Sequence, residues 1–391
     1  MTTSKTVENQ EYLQNQLITY IGNKRALLPF IGEAVEIVRK ELNKEKLSCF
    51  DVFSGSGIVA RFLKQYSSSI VVNDLEQYSC IINRCYLSNL NESEKKELNS
   101  IHAALTQKIN ARVQQLQQKI QSNDYVPPGF ISELYAPLDM NNIQQSDRCF
   151  YTPYNANYLD VARQLIEKEV PEKYKDFFIA PLLSEASIHA NTAGIFKGFY
   201  KNSKTKTGQF GGNGKNALSR ILGKIELSLP VLSNFECPFT VFNEDANILV
   251  KDQKLSKYYP FDLAYLDPPY NQHPYGSNYF MLNLIANYSK PDTEKISRVS
   301  GIPKDWHRSD YNKKRQVIKV FSELVESIQA KYVLVSFNSE GFISKDEMIS
   351  LLSSLGKVQV LEADYNTYRG SRNLGERDIY VKEYLFLVRK N

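Results

Sequence analysis

The sequence lacks the features that mark zinc-binding, secreted and membrane-spanning proteins. Its five cysteines form no Cys-x-x-Cys pair and lie near no pair of histidines, so we expect neither a zinc site nor a disulfide framework. The first residues contain no apolar signal core, and no apolar run reaches the length of a membrane span. We therefore expect a protein of a reducing cytoplasm that makes no contact with membranes.

A strong charge of either sign is also absent. The 391 residues include 48 lysines and arginines against 43 aspartates and glutamates, which gives a formal net charge of +5. This small excess does not by itself indicate nucleic-acid binding, for which the distribution of charge matters more. Hydrophobic residues make up 42% and charged residues 23%, as is typical of a soluble globular protein of two or three domains.

Strand-like and helix-like segments alternate along most of the chain. Seven apolar runs predict strands, at Leu47–Phe53, Ser69–Asp74, Phe239–Asn243, Phe261–Leu266, Lys331–Phe337, Lys357–Glu362 and Lys382–Arg389. Helical patterns lie between several of them, at Lys24–Leu42, Ile58–Gln65, Asn312–Gln329 and Lys345–Leu355. The alternation predicts an α/β fold with a doubly wound, mostly parallel sheet. The polar stretch Ala363–Val381 has no helical pattern and predicts an antiparallel final strand that closes the sheet edge.

The alternation stops between Asp74 and Phe239. There the sequence predicts three helices, Glu92–Gln121, Tyr158–Val170 and Phe177–Ala190, followed by a long glycine-rich loop. We interpret residues 88–234 as an inserted, mainly helical domain. Residues 1–87 and 235–391 then form the domain that contains the sheet.

A glycine-containing loop follows the first predicted strand. In Asp51–Gly57, Gly55 and Gly57 permit a tight turn and close approach of the backbone to a ligand. Asp51 would repel a phosphate and instead suits a cationic amino group, such as that of the methionine end of S-adenosylmethionine. Asp74 ends the second strand about 20 residues later, where an acid usually binds ribose hydroxyls. A generic strand–turn–helix with a solvated acid is the alternative.

Two further segments add to this group of residues. Gly22 allows a tight turn within Tyr20–Lys24, and Lys24 has the length to reach a carboxylate. Asp245 follows the third predicted strand, as Asp267 follows the fourth. Acids gathered at the carboxyl edge of one sheet repel each other, which favours a ligand rich in hydrogen-bond donors.

The tetrapeptide Asp267-Pro268-Pro269-Tyr270 ends the fourth predicted strand. The prolines stop the ladder and hold the carboxylate of Asp267 and the ring of Tyr270 on a stiff turn. This pair suits a planar substrate with an amino group, such as a nucleobase, whereas a proline-stiffened strand exit is the alternative. The next loop, Asn271–Tyr279, is long enough to close over a substrate, with His273 as a contact residue rather than a general base.

Basic residues concentrate in the loop of the predicted insertion. The stretch 186–225 contains seven lysines or arginines, no acid and four interleaved aromatic residues. Such residues neutralise phosphates and stack on bases, which indicates nucleic-acid contact, although a solvated loop is the alternative. A second basic loop is Tyr368–Asn373. The candidate DNA-binding residues are Lys197, Lys201, Lys204, Lys206, Lys215, Arg220, His273, Tyr275, Arg369 and Arg372.

Taken in order, these segments resemble the adenine-N6 DNA methyltransferases related to DNA adenine methylase. The resemblance rests on Tyr20–Lys24, Asp51–Gly57, Asn73-Asp74, Asp245, Asp267–Tyr270 and Tyr368–Glu383, which span nearly the whole chain. It implies a seven-stranded class I methyltransferase fold of the Rossmann-like type, S-adenosylmethionine as methyl donor and no metal. It also implies double-stranded DNA as partner, target recognition by 88–234, and a bacterial restriction-modification system acting at the nucleoid. The recognition sequence, a partner restriction endonuclease and the oligomeric state stay open.

The resemblance also implies a role for each matching residue. Asp51 would face the amino group of S-adenosylmethionine, Asp74 its ribose and Asp245 the edge of its adenine. Cofactor-binding residues are then Tyr20, Lys24, Asp51, Phe53, Gly55, Gly57, Asp74, Asp245 and Asp267. Catalytic residues are Asp267, Pro268, Pro269 and Tyr270. Ionised Asp267 and a carbonyl of the Pro-Pro turn would accept the two amino N–H groups of a flipped-out adenine, on which Tyr270 stacks.

Three alternatives remain at this point. Methylation of cytosine N4 uses the same fold, although those enzymes more often have serine at the position of Asp267. Relatives with Asn-Pro-Pro-Tyr act on RNA or on protein glutamine, and Asp267 argues against them. A non-catalytic DNA-binding relative is the third, and the intact loop Asp51–Gly57, Asp74 and the tetrapeptide argue against it.

Overall fold

The computed structural model describes residues 6–212, 214–215, 217–366 and 380–391. A single seven-stranded sheet organises them. Its strands are β1 Leu47–Asp51, β2 Ser67–Asn73, β3 Phe239–Phe242, β4 Phe261–Leu266, β5 Ala330–Asn338, β6 Gly356–Asn366 and β7 Tyr380–Lys390. All seven predicted strands are confirmed, with ends shifted by a few residues.

The sheet has the strand order β3-β2-β1-β4-β5-β7-β6. Strands β1 to β5 pair in parallel, whereas β7 runs antiparallel to both β5 and β6. The predicted antiparallel direction of the last strand is therefore confirmed, but its predicted place at the edge is wrong. Residues 385–388 of β7 are apolar and buried, as suits an interior strand, whereas the described side chains of β6 alternate between half-buried and exposed, as suits an edge.

Helices cover both faces of the sheet and make up much of the predicted insertion, residues 88–234. They are α1 Gln10–Gln14, α2 Leu28–Leu42, α3 Ile58–Leu63, α4 Gln77–Leu87, α5 Glu92–Gln121, α6 Phe130–Tyr135, α7 Pro153–Glu169, α8 Lys175–Ile188, α9 Leu218–Leu222, α10 Ala246–Leu249, α11 Gln253–Ser256, α12 Tyr275–Asn278, α13 Phe280–Asn287, α14 Val317–Ser327 and α15 Lys345–Ser353. Short 3-10 turns lie at Arg25–Leu27, Lys64–Tyr66, Glu172–Tyr174, Thr293–Lys295 and Asp310–Asn312. Within the described ranges, no helix combines the length and apolar character needed to cross a membrane.

The predicted helix α5 begins and ends where its pattern indicates. Asn91 caps it by accepting from the backbone N–H of Glu94, whose side chain accepts from the N–H of Asn91 in return. Two other helices start later than predicted. Residues 24–27 lead into α2 as a 3-10 turn, and 310–312 form another 3-10 turn before α14. Both turns border the site described below, and their residues do not belong to a regular α-helix.

Two apolar layers sandwich the sheet. On one face, Cys49 of β1 packs in a cluster with Val35 and Val38 of α2. The next residue along β1, Phe50, faces the other way and packs in a cluster with Phe321 of α14. Helices on both faces of a mostly parallel sheet confirm the predicted doubly wound α/β architecture.

The insertion shares its apolar core with the sheet domain. Leu105 of α5, Leu159 of α7 and Leu183 of α8 lie in one cluster with Ile82 of α4 and Met281 of α13. Helix α4 follows β2, and α13 follows the tetrapeptide at the end of β4. The helices of the insertion therefore pack against the two elements that continue from the carboxyl edge of the sheet.

Candidate active site

The carboxyl ends of β1, β2, β3 and β4 open into a cleft of about 950 Å³, which includes the space at its open mouth. A cleft at this edge is where ligands bind in open α/β sheets. Residues predicted from separate segments of the sequence line it together. They are Tyr20, Lys24, Asp51, Phe53, Gly55, Asp74, Asp245, Asp267, Pro269, Tyr270 and Tyr275.

The loop after β1 needs its two glycines. Gly55 has φ +53°, and a Cβ there would lie 2.8 Å from the ring of Tyr20. Gly57 has φ +74°, and a Cβ there would lie 2.9 Å from Oδ1 of Asn83. Both backbones are in the left-handed region, which side chains rarely adopt. Gly57 shapes the start of α3, whereas Gly55 lines the cleft itself.

Asp51 is a buried carboxylate without a satisfied hydrogen bond. Its side chain is fully enclosed, and within the described residues neither carboxylate oxygen has a hydrogen bond of normal geometry. Burial raises its pKa well above the ordinary value, and the nearby carboxylates of Asp267 and Asp74 raise it further. The nearby backbone N–H groups of Phe53 and Ala60 oppose this rise without forming a hydrogen bond of normal geometry. A buried acceptor of this kind is unfavourable unless a donor arrives, and a cationic amino group is its natural complement.

Asp74 is held by the backbone on both sides. One carboxylate oxygen accepts from the N–H of Gly55 at 2.7 Å and the other from the N–H of Glu76 at 2.8 Å. Burial raises its pKa despite these two hydrogen bonds. The position of Asp74 is therefore fixed relative to the glycine loop, at the wall of the cleft.

Glu76 lines the same cleft and was missed in the sequence analysis. Its carboxylate is 2.5 Å from Nδ2 of Asn283 on α13, and burial raises its pKa to about 7. The signal was its place two residues beyond Asp74, in the same strand-end turn. Glu76 links the β2 end of the cleft to the helix that follows the tetrapeptide.

An aromatic corner closes the β3 end of the cleft. Phe53 packs edge-on against Tyr311 with ring centroids 5.1 Å apart, and the Tyr311 hydroxyl donates to Oδ1 of Asn247 at 2.7 Å. Asp245 caps α10 by accepting from the N–H groups of Asn247 and Ile248. Tyr311 was not predicted as a site residue, because it lies in a polar stretch far from every strand end.

A buried lysine bridges two carboxylates at the tetrapeptide. Nζ of Lys24 lies 3.4 Å from Asp267 and 3.4 Å from Glu383 on β7, and the lysine side chain is only 3% exposed. Burial opposes the charge on Lys24, but the two carboxylates more than offset it and its pKa is raised. Burial raises the pKa of Asp267 to about 6; Lys24 lowers it and Glu383 raises it. The pKa of Asp267 is therefore set by burial and by two opposing charges, the cation of Lys24 and the anion of Glu383.

The rings around the tetrapeptide form one wall of the cleft. Tyr270 is buried, packs edge-on against Phe337 at 5.5 Å, and has its pKa raised to about 12 by burial. Tyr20 stacks with Tyr275 at 5.1 Å and with Tyr279 at 4.9 Å. Tyr275 thus belongs to the wall of the cleft in the described structure, although the sequence suggested it as a DNA contact.

The predicted basic residues separate into an exposed group and two members, Lys201 and Arg220, that bind backbone carbonyls of other segments. Lys197, Lys204, Lys206 and Lys215 are exposed, and Nζ of Lys197 lies 3.1 Å from Nδ1 of His273 beside the tetrapeptide loop. Burial and Lys197 lower the pKa of His273.

Lys201 and Arg220 both hold other backbone segments. Nζ of Lys201 donates to the carbonyl of Val299 at 2.5 Å. Arg220 turns inward, where its guanidinium donates to the carbonyls of Ile188, Ala190 and Thr192 after α8. Most of its donors are therefore used inside the protein. Arg369 and Arg372 lie outside the described residues.

Comparison with known proteins identifies relatives along almost the whole chain. A family described as D12 class N6 adenine-specific DNA methyltransferase matches residues 20–351. The type II methyltransferase M.CviAII of Paramecium bursaria Chlorella virus 1 is 28% identical over 375 residues, which cover 95% of this chain and 98% of that protein. M.NlaIII of Neisseria lactamica is 28% identical, with 95% and 99% covered. M.FokI of Planomicrobium okeanokoites is 27% identical over 95% of this chain, which spans about half (52%) of that longer protein.

Proposed function

This chain belongs to the D12 class of N6 adenine-specific DNA methyltransferases, and we propose that its cleft holds S-adenosylmethionine beside a flipped-out adenine. The predicted family is thereby confirmed, and the alternative of cytosine N4 methylation is not favoured. The chain is an adenine methyltransferase of the restriction-modification type. One observation carries the proposal for the site: a buried, unsatisfied Asp51 opens into the same cleft as Asp267.

The cofactor end of the cleft is formed by three strand ends. S-adenosylmethionine, when bound, supplies a methyl group on a cationic sulfonium. Asp51 would accept from its amino group, Asp74 from its ribose hydroxyls and Asp245 from the edge of its adenine. The unsatisfied oxygens of Asp51 support this assignment, because burial without a donor is unfavourable. Tyr20, Phe53 and Gly55 would shape the same pocket, and Gly57 would set the turn into α3 behind it.

Asp267 would prepare the target nitrogen. The amino nitrogen of adenine is a poor nucleophile because its lone pair is delocalised into the ring. Ionised Asp267 and a backbone carbonyl of the Pro268-Pro269 turn would accept its two N–H groups and favour the tetrahedral geometry that frees the lone pair. Lys24 keeps Asp267 ionised at neutral pH, and the ring of Tyr270 offers the flipped base a stacking face. Pro268 and Pro269 make the turn stiff.

The insertion 88–234 would recognise double-stranded DNA. Lys197, Lys201, Lys204, Lys206 and Lys215, with His273, would contact phosphates around the mouth of the cleft. Arg220 is left out of this set because its donors are used internally. Arg369 and Arg372 remain sequence predictions. We also propose a cognate restriction endonuclease as partner and action on DNA in the cytoplasm of a bacterial host.

The test is methylation-sensitive sequencing of DNA from cells that express this chain. We expect N6-methyladenine within one short sequence context, and no modification in cells that express Asp267→Ala. Modified cytosine without modified adenine would contradict the proposal. So would equal adenine methylation by the wild type and by Asp267→Ala.

A further inference from the structure

A further basic segment, separate from the basic loop of the insertion and from Tyr368–Asn373, includes residues that line the cofactor end of the cleft. Residues 304–315 include five lysines or arginines against two aspartates. All five cations are exposed: Lys304, Arg308, Lys313, Lys314 and Arg315. Within the part of the chain that the structure describes, Lys304, Lys314 and Arg315 form no ion pair, whereas Lys313 pairs with Asp310 at 2.6 Å. Three cations are thus available to an anionic partner.

The segment is anchored to the cleft by its uncharged residues. His307, Ser309, Tyr311 and Asn312 line the cleft. The hydroxyl of Tyr311 donates to Asn247, and Nδ2 of Asn312 donates to the carbonyl of Asn271 at 2.8 Å. The segment is therefore attached to the loop of the catalytic tetrapeptide, and Lys304, Lys314 and Arg315 flank its cleft-lining residues in sequence.

Contacts also join this segment to the basic loop of the insertion. Nδ2 of Asn312 is 3.4 Å from the carbonyl of His273, whose ring contacts Lys197. Nζ of Lys201 donates to the carbonyl of Val299, in the turn that precedes the segment. The lysines of the insertion and those of residues 304–315 therefore form one continuous rim rather than two separate patches.

We propose that residues 304–315 form a second contact for the phosphate backbone of double-stranded DNA, which holds the duplex at the cofactor end of the cleft. The inference rests on the proposed function, because only a nucleic-acid substrate would bring a polyanion to this mouth. Among the described residues the three cations form no ion pair, although Lys314 is close enough to Glu347 to lower the pKa of that carboxyl. Exposed cations that flank cleft-lining residues match phosphates in charge and position. Trp306, which has the guanidinium of Arg308 4.8 Å above its ring, lies within this contact.

The first test measures DNA binding by a variant with Lys304, Lys314 and Arg315 each changed to Glu. The probe is a fluorescently labelled duplex of random sequence, because a phosphate contact does not depend on sequence. Each lost phosphate contact lowers the slope of log affinity against log salt by about 0.9, so the slope falls by roughly 3. At physiological salt we expect affinity to fall by about 10- to 1000-fold.

The matched control changes three exposed lysines at the opposite, amino edge of the sheet: Lys40→Glu, Lys257→Glu and Lys357→Glu. The change in net charge is the same, so a general electrostatic effect would appear in both variants. Equal affinity and equal slope in the two variants would overturn the inference. If the wild type still methylates DNA in that case, the proposed function stands without it.

A second test uses the wild-type protein and therefore does not depend on variants that fold. Trp306 is the only tryptophan of the chain, so its fluorescence reports on this segment alone. We expect saturating duplex to change its emission, and high salt to reverse the change. Unchanged emission while the labelled duplex binds would show that DNA avoids the segment. Failure of the wild type to bind or methylate any DNA would instead contradict the proposed function.

Discussion

The acids at the carboxyl edge of the sheet and the cations around its mouth differ in charge and in how they are positioned. Asp51 and Asp74 are buried; Asp51 is the last residue of β1 and Asp74 directly follows β2, so strand pairing sets the place of each. Lys197, Lys204 and Lys314 are exposed, and they lie on loops. An enclosed acid acts through one fixed geometry. An exposed cation acts through its distance from a phosphate, and neighbouring cations can replace its contribution.

This difference predicts how each region responds to substitution. A change at the acidic edge should remove one unique interaction and have a large effect. A change at the basic rim should subtract one of several similar contacts and have a small, additive effect that salt screens. Large effects of changing single rim cations, or small effects of changing the buried acids, would contradict this expected difference between the two regions.

The largest effect is expected for Asp267→Ala. Loss of the acceptor for the adenine amino group should lower the rate of methyl transfer by about 10²- to 10⁴-fold. The rate should be measured in a single turnover, with cofactor and DNA saturating, so that binding defects do not contribute. Asp346→Ala, at an exposed acid of α15, is the matched control and should leave the rate unchanged. A normal rate in Asp267→Ala would exclude it as the acceptor.

Asp51→Asn should weaken cofactor binding and stabilise the folded protein. The uncharged side chain removes a buried carboxylate, so the free energy of unfolding at neutral pH should rise by about 1–3 kcal/mol while cofactor binding is lost. Calorimetric titration and thermal unfolding measure the two effects.

The raised pKa of Asp51 determines how the stability of the protein depends on pH. The native state keeps a proton that the unfolded chain has lost, so wild-type stability falls as pH rises from the ordinary carboxyl pKa toward the raised one. The stability advantage of Asp51→Asn should therefore grow with pH across this window. An advantage that shrinks would mean that Asp51 is stabilised as an anion.

Glu383→Gln should shift the pH profile of the reaction. Burial and Glu383 raise the pKa of Asp267, which reaches about 6 in the native protein. Because the ionised form is the active one, kcat/KM should rise with pH through that value and then level off. Without the charge of Glu383, the positive charge of Lys24 acts on Asp267 unopposed and lowers its pKa. The inflection should therefore move to lower pH. An unmoved inflection with an altered rate would show that Glu383 acts only through structure.

The smallest effects belong to the rim. Lys201→Glu and Lys204→Glu should each lower the salt slope of DNA binding by about 1 or less, with methyl transfer restored at low salt. Binding measured across a salt series, with cofactor affinity as the internal control, tests this. If neither change moves DNA affinity or its slope, the basic loop of the insertion is not a phosphate contact.

Much of the fold and part of the site could be predicted from local pattern. The strands were visible as apolar runs, and acids stood out because they lie at or just after the strand ends, as Asp51, Asp74 and Asp267 do. Glu76 and Tyr311 were missed because their entry into the cleft depends on how the turns fold back. The predicted edge position of β7 was wrong because the order of strands along the chain does not reveal which strand inserts between two others.

By itself, the sequence determined the α/β class, the order of the strands along the chain and the chemistry available at each strand end, because hydrophobic periodicity and turn residues are local properties. Only the tertiary structure decided which of these residues meet. Lys24 and Glu383 are 359 positions apart, yet Lys24 contacts both Glu383 and Asp267. The insertion loop and residues 304–315 likewise become one rim only when packed. Such contacts depend on sheet order and loop packing, which no local pattern encodes.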